Sequence, residues 1–311
     1  MYYPLLRARQ FELISLRELA IEGVTQECII PILEPVKSTF NNLTIANSIF
    51  EQYNQKVYFI VNPLVGELIG DKNHFLDYLT GLNPDMVLPA FHYRNNSDYI
   101  TQSITNYHLN HCMLICTNDI NEDDQEFKKI AELNQITIIN VEDPTRNRSL
   151  HRYLQKSGKR YVRLDDLFEK QTRNSDFLSI NEHRFSEEHI YYRQEYFNGF
   201  SDYTVLPSEY SDGGSTPRAV VIHLTYMNPQ NQIMIRHFTS ESNDSIANIQ
   251  GKFAEAAEKA VQYCRSNQLN NSAIIELENY FDSQHYPGLG TVKKISIKNH
   301  LLIISNYLRN R

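Results

Sequence analysis

Cysteine is scarce in this sequence: Cys28, Cys112, Cys116 and Cys264 are scattered through 311 residues. That is too few for a disulfide scaffold. Cys112 and Cys116 share the run HCMLIC, where two strand residues four apart would stand about 13 Å from each other. A disulfide needs Cα atoms within about 7 Å, so reduced, buried thiols are expected. Long apolar runs are missing too. Nothing approaches the roughly 18 residues of a membrane span, and the opening MYYPLLRARQFELISL carries charge too early for a signal peptide. The expectation is a cytoplasmic protein without membrane contact. Positive charge is not in excess: 30 Lys and Arg against 37 Asp and Glu leave −7. A protein that coats nucleic acid normally tips the other way, so direct nucleic-acid binding is not expected. Neither GxGxxG nor GxxxxGK[ST] occurs, which removes the usual phosphate loop of a nucleotide-binding open sheet. There is no GxSxG elbow, and His183 and His189 fit no established zinc spacing.

Hydrophobic residues make up 41% of the chain and aromatics 11%, enough for a sizeable core. Strand-like runs occur at 2–8, 28–36, 56–63, 85–93, 111–117, 136–141 and 159–164, with 200–206 as an eighth. Segments of helical period alternate with them, such as QFELISLRELAIEG, and acids at Asn121-Glu122-Asp123-Asp124 open another before FKKIAEL. The strands IIPIL, VYFIV, MVLPAF and ITIIN are continuous apolar runs, which suits parallel strands buried on both faces. The pattern predicts a TIM-barrel-like α/β fold, a parallel (β/α)8 barrel, in preference to a doubly wound open sheet. One domain is expected over 1–311. It carries a long loop at 165–200, a β-hairpin insertion at 216–240 turning on Asn228-Pro229-Gln230-Asn231, and C-terminal helices at 249–311. Gly213-Gly214 reads as a turn, and Lys293, Lys294 and Lys298 as the solvated face of the terminal helix.

In such a barrel the chemistry sits at the C-terminal ends of the strands. Catalytic candidates are Glu34, Glu142, Asp143 and His92. Glu34 and the Glu142-Asp143 pair follow apolar strands, and Glu34 and Asp143 precede proline, which holds them extended. His92 ends MVLPAFHY and suits general acid–base work. Ligand-binding candidates are Arg7, Arg9, Asn62, Asp165, Asp166 and Asp202. The arginines offer bidentate bonds to a phosphate or carboxylate of a small ligand. Carboxylates on separate strands can hold Mg²⁺ or Mn²⁺, the basis of a metal-dependent hydrolase or phosphodiesterase reading. The same residues also read as rim salt bridges and helix caps. Arg7, Glu34 and Asp202, from the first, second and eighth strands, are expected to lie together.

The opening YYPLLRARQFELISLRELA followed by IIPILEPV resembles the beta-protein family of bacterial and phage genomes. The blocks FSEEHIYYRQEYFNGFSDYTVLPSEYSDGGSTPRAVVIHLTY and HYPGLGTVKKISIKNHL resemble one branch, encoded near mobile elements beside a small nuclease-like protein. Between Thr39 and Ile130 only the strand rhythm is shared. The resemblance implies a barrel-like fold and a role in phage defence or mobile-element biology, with the nuclease-like neighbour as a partner. It singles out Arg7, Arg9, Glu12 and Glu34, then Ser201-Asp202-Tyr203, Gly288 and His300. Many members carry Lys at positions 7 and 9 and Gly where this chain has Phe11.

Overall fold

The computed structural model describes the chain apart from residues 72, 122 and 214–216. Glu122, Gly214 and Thr216, which entered the expectations above, therefore lie outside the described residues. The chain divides into two compact units, the first being Met1–Arg9, Ala20–Asp166 and Glu188–Tyr203. Its strands are β1 (Leu5–Leu6), β2 (Ile32–Leu33), β3 (Val57–Ile60), β4 (Val87–His92), β5 (Cys112–Cys116), β6 (Ile136–Glu142) and β7 (Arg160–Asp165). After β8 (Glu182–Ser186), which belongs to the other unit, β9 (Gly199–Asp202) completes the set. Each strand pairs in parallel with the next, giving an eight-stranded sheet in chain order. A parallel bridge between Tyr2 and Phe200 brings the last strand back to the first. There the Tyr3 N–H donates to the Phe200 carbonyl at 2.9 Å and the Phe200 N–H to the Met1 carbonyl at 3.2 Å. A parallel (β/α)8 barrel is the result.

Side-chain bulk explains this seam. A Cβ on Gly199 would lie 2.7 Å from Tyr3 Cε2 and 2.8 Å from the Met1 carbonyl, so only glycine lets β9 approach. The strands β3, β4 and β5 are buried at every position, as both-face burial of a parallel sheet requires. Helices α1 (Gln10–Glu22), α2 (Asn41–Gln52), α3 (His74–Leu79), α4 (Ser97–Asn106), α5 (Gln125–Glu132) and α6 (Arg148–Gln155) alternate with the strands. In α5 the buried Phe127, Ile130 and Ala131 recur at helical spacing. Asp124 caps its start, accepting from the Glu126 and Phe127 N–H groups at 2.9 and 3.3 Å.

The second unit is Gln10–Leu19, Leu167–Glu187 and Thr204–Arg311. This part has a hydrophobic core of its own, including Val220, Ile222, Phe238, Phe253, Ala257 and Ile295. The expected hairpin is present as β10 (Val221–Met227) and β11 (Ile233–Thr239), antiparallel neighbours with β8 on the far side of β11. Asn228 builds the turn, its Oδ1 accepting from the Gln230 and Gln232 N–H groups at 3.0 and 2.9 Å. Residues 165–200, expected as a loop, hold β8 and the short helices α7 (Phe177–Ile180) and α8 (Glu188–Tyr191). The C-terminal part forms α9 (Ile249–Ser266), α10 (Ser272–Asp282) and α11 (Leu289–Arg309).

The lysines of α11 are not a solvated face. Lys294 Nζ reaches Glu18 and Glu276, each at 2.7 Å, and Lys298 Nζ reaches Glu18 at 2.8 Å. Glu12, fully buried, pairs with Lys293, and His300 is a core histidine 3.3 Å from Thr225 Oγ1. All four cysteines are free and buried. Among the described residues no helix is long and apolar enough to cross a membrane.

Candidate functional site

Strand side chains alternate between faces, so the interior of the barrel can be followed two residues at a time. A buried cluster of Tyr3, Leu5, Ile32, Tyr58, Ile60, Leu88, Ala90, Met113, Ile115, Ile138, Val162 and Leu164 fills it. The same alternation carries the interior past this apolar stack. Two residues beyond Leu5 is Arg7, beyond Ile32 is Glu34, beyond Ile60 is Asn62 and beyond Ala90 is His92. Beyond Leu164 is Asp166, and β6 passes from Ile138 through Asn140 to Glu142. Tyr203, next to the end of β9, shares the interior cluster. At the C-terminal mouth the core thus turns abruptly from aliphatic to ionisable.

Ladder register sets the layers. Glu34 follows Leu33, the partner of Phe59, and His92 pairs with Ile115, which pairs with Asn140. With the one-residue stagger per strand of a tilted eight-strand barrel, Glu34, His92, Glu142 and Tyr203 form one layer from alternate strands. Their contacts agree. Glu34 is fully buried, and His92 Nε2 lies 3.3 Å from its Oε1, a close contact without hydrogen-bond angles. The Leu64 N–H donates to the same oxygen at 2.8 Å, and the Arg7 guanidinium pairs with Oε2. Burial pushes the Glu34 carboxyl up, but His92, Arg7 and the Leu64 N–H outweigh it and hold it below its ordinary range. Arg7 also lies over the Tyr203 ring, 5.4 Å from its centroid.

Asn62 acts on the backbone. Its carboxamide donates to the His92 carbonyl at 2.8 Å and accepts the His92 N–H at 2.9 Å, extending the ladder where β3 has ended. His92 Nδ1 is buried without a partner. No hydrogen bond or ion pair among the described residues engages Glu142. Burial raises its carboxyl, opposed by Arg94 and His92 and reinforced by Asp166 and Asp143. Tyr203 is likewise raised, chiefly by burial and then by Glu142.

Asp165, Asp202 and Asp143 have partners outside this layer. Asp165 is bound by Nε and Nη2 of Arg163 at 2.8 and 3.0 Å, on the outer face of β7. Asp202, on the strand that returns to β1, accepts from the Tyr2 hydroxyl at 2.5 Å. Asp143 pairs with Arg146 at 2.6 Å, and Arg9 follows the kink at Ala8 outside the strand, half-buried. Reading the strand ends alone passed over Tyr203, which only the family resemblance singled out, and it passed over Asn140, fully buried with both amide atoms unpaired. Strand parity was the signal that finds both.

Backbone strain gathers at the same place. Ala8, Asp143 and Thr204, the residues directly after Arg7, Glu142 and Tyr203, have φ of 50°, 43° and 58°. Alanine and threonine rarely adopt this left-handed region, and a β-branched residue there is an outlier.

No group of three or more His, Cys, Asp or Glu among the described residues is arranged to hold a metal ion, and both Glu34 oxygens are engaged. Comparison with protein-family models gives no match, and no curated protein matches the sequence.

Proposed function

We propose that the chain acts through the polar mouth of its barrel, as the ligand-binding component of a phage-defence or mobile-element system. One observation carries the ligand site: ionisable side chains cap an apolar barrel, yet Glu142 and His92 Nδ1 are left without partners. A rim built only for stability would pair its polar groups: a buried unpaired atom such as His92 Nδ1 costs about 1–3 kcal/mol, and Glu142 is half-buried. Left-handed residues after Arg7, Glu142 and Tyr203 cost a further 1–3 kcal/mol or so each, a strain typical of ligand sites. Arg7 neutralises Glu34, so the ligand meets Glu142, His92, Asp166 and the Tyr203 hydroxyl first, with Arg94 nearby. The biological setting, and a nuclease-like partner, rest on the family resemblance of the opening and of the two later blocks.

A second reading is favoured by the raised Glu142 carboxyl beside His92: proton transfer. A carboxyl raised above its ordinary range is the readier proton donor, and the His92 imidazole, in contact with Glu34, is the acceptor in this reading. The test uses cells carrying the gene and its neighbour. Glu142→Gln should abolish protection against phage while the thermal midpoint stays within a few degrees of wild type, and His92→Gln, which keeps a donor towards Glu34, should abolish it as well. Full protection by both folded variants would remove the mouth from the function. Co-elution of the chain with the neighbouring product tests the partner separately.

A further inference from the structure

We infer that the opposite, N-terminal mouth of the barrel is a second binding site, for a small molecule with an anionic head and a flat apolar body. A cavity of about 570 Å³ opens there. Its rim comes from residues at or just before strand starts: Lys56 ahead of β3, His111 ahead of β5, and Lys159 and Arg160 at β7. Its floor is Ile30, Tyr58, Leu88 and Ile138, the lower end of the apolar stack. A second cavity of about 550 Å³ shares Asp85, His111, Asn134 and Thr137 with it, so the pocket continues sideways.

Charge is what sets this cavity apart. The chain is acidic overall, and its buried lysines in α11 are matched to carboxylates. Lys56, Lys159 and Arg160 form no ion pair among the described residues. Lys159 Nζ spends two donors on the Leu133 and Ile136 carbonyls at 2.7 and 2.8 Å, leaving its third N–H. Burial lowers its ammonium, and Glu132 opposes that from beyond ion-pair range. Arg160 lies beside the Tyr3 hydroxyl and favours its ionised form. Asp85 is the single acidic residue in the lining, against those three cations and His111. The backbone of His111 is left-handed at φ 55°, as is that of His108 at 52°.

Convergent cations over an apolar floor suit a phosphate ester or carboxylate attached to a ring. The cations bind the head by charge-assisted hydrogen bonds, and the floor takes the ring. Nothing in this site depends on the C-terminal mouth.

Calorimetric titration of the full chain tests it, using phenyl phosphate, benzoate and neutral benzyl alcohol. Both anions should bind, benzyl alcohol should not, and added salt should weaken the anions. Tighter phenyl phosphate assigns a phosphate ester, tighter benzoate a carboxylate. Lys56→Gln/Arg160→Gln should weaken the anions at least about tenfold, whereas Lys170→Gln, an exposed cation away from this cavity, should change nothing. If the double variant fails to fold, Lys56→Gln alone, at an exposed side chain, serves with a smaller expected loss. Absence of binding by both anions, equal binding by benzyl alcohol, or undiminished binding by a folded variant would overturn the assignment.

Discussion

Glu34 owes its ionised state to its neighbours rather than to water, which does not reach it. The guanidinium of Arg7 is the nearest full charge, so its removal leaves a buried carboxylate half compensated. Arg7→Ala should therefore destabilise the chain by about 3 kcal/mol at pH 7, read from urea unfolding. The sign with pH follows from the lowered carboxyl: its stabilisation is present above the ordinary carboxylate range, near pH 4, and is lost as pH falls through the folded value. The gap between variant and wild type should narrow below pH 4. Arg7→Met with Glu34→Leu should recover most of the loss, because the pair is replaced by apolar packing rather than broken. A variant as stable as wild type would show that the pair does not hold the rim.

Two elements make sharper demands. The β1–β9 seam accepts no Cβ at position 199, so Gly199→Ala should cost about 1–3 kcal/mol, measured by thermal unfolding. In the antiparallel sheet His223 and His237 face each other across β10 and β11, with Nδ1 atoms 2.7 Å apart, between the rings of Phe168 and Phe177. His183 on β8 lies beside His237, and Glu169 is 4.0 Å from His183. Burial, then the charge of His237, lowers His223 to about 3; burial, then His183, lowers His237 to about 4. The unfolded chain takes up these protons below about pH 6.5 and the folded chain does not. Stability is thus full above pH 6.5 and falls towards pH 4, by up to about 1.4 kcal/mol per pH unit for each imidazole. His237→Asn should flatten that slope, and an unchanged slope would mean that these rings are charged in the fold.

At the scale of the whole molecule, the barrel was legible because strands buried on both faces leave continuous apolar runs, and runs of that kind fix where each strand falls. The second unit was not legible, since its pieces, Gln10–Leu19, Leu167–Glu187 and Thr204–Arg311, meet only through tertiary packing. Lys294 and Lys298 looked solvated for the same reason: their partner Glu18 lies at the other end of the chain. The mouth was half legible. Proximity to a strand end put Glu34 and His92 together, but it did not separate Glu142 from Asp143 or Asp166 from Asp165, which parity does. The claim that the mouth is kept for function, at the expense of stability, is tested most directly by the thermal midpoint of Glu142→Gln at pH 7 alongside its activity in cells. A raised, unpartnered carboxyl destabilises the fold when ionised, and its partial exposure screens the effect. The account predicts a midpoint about 1–2 °C above wild type together with lost function. A lower midpoint with function intact would contradict it and make Glu142 a structural anchor.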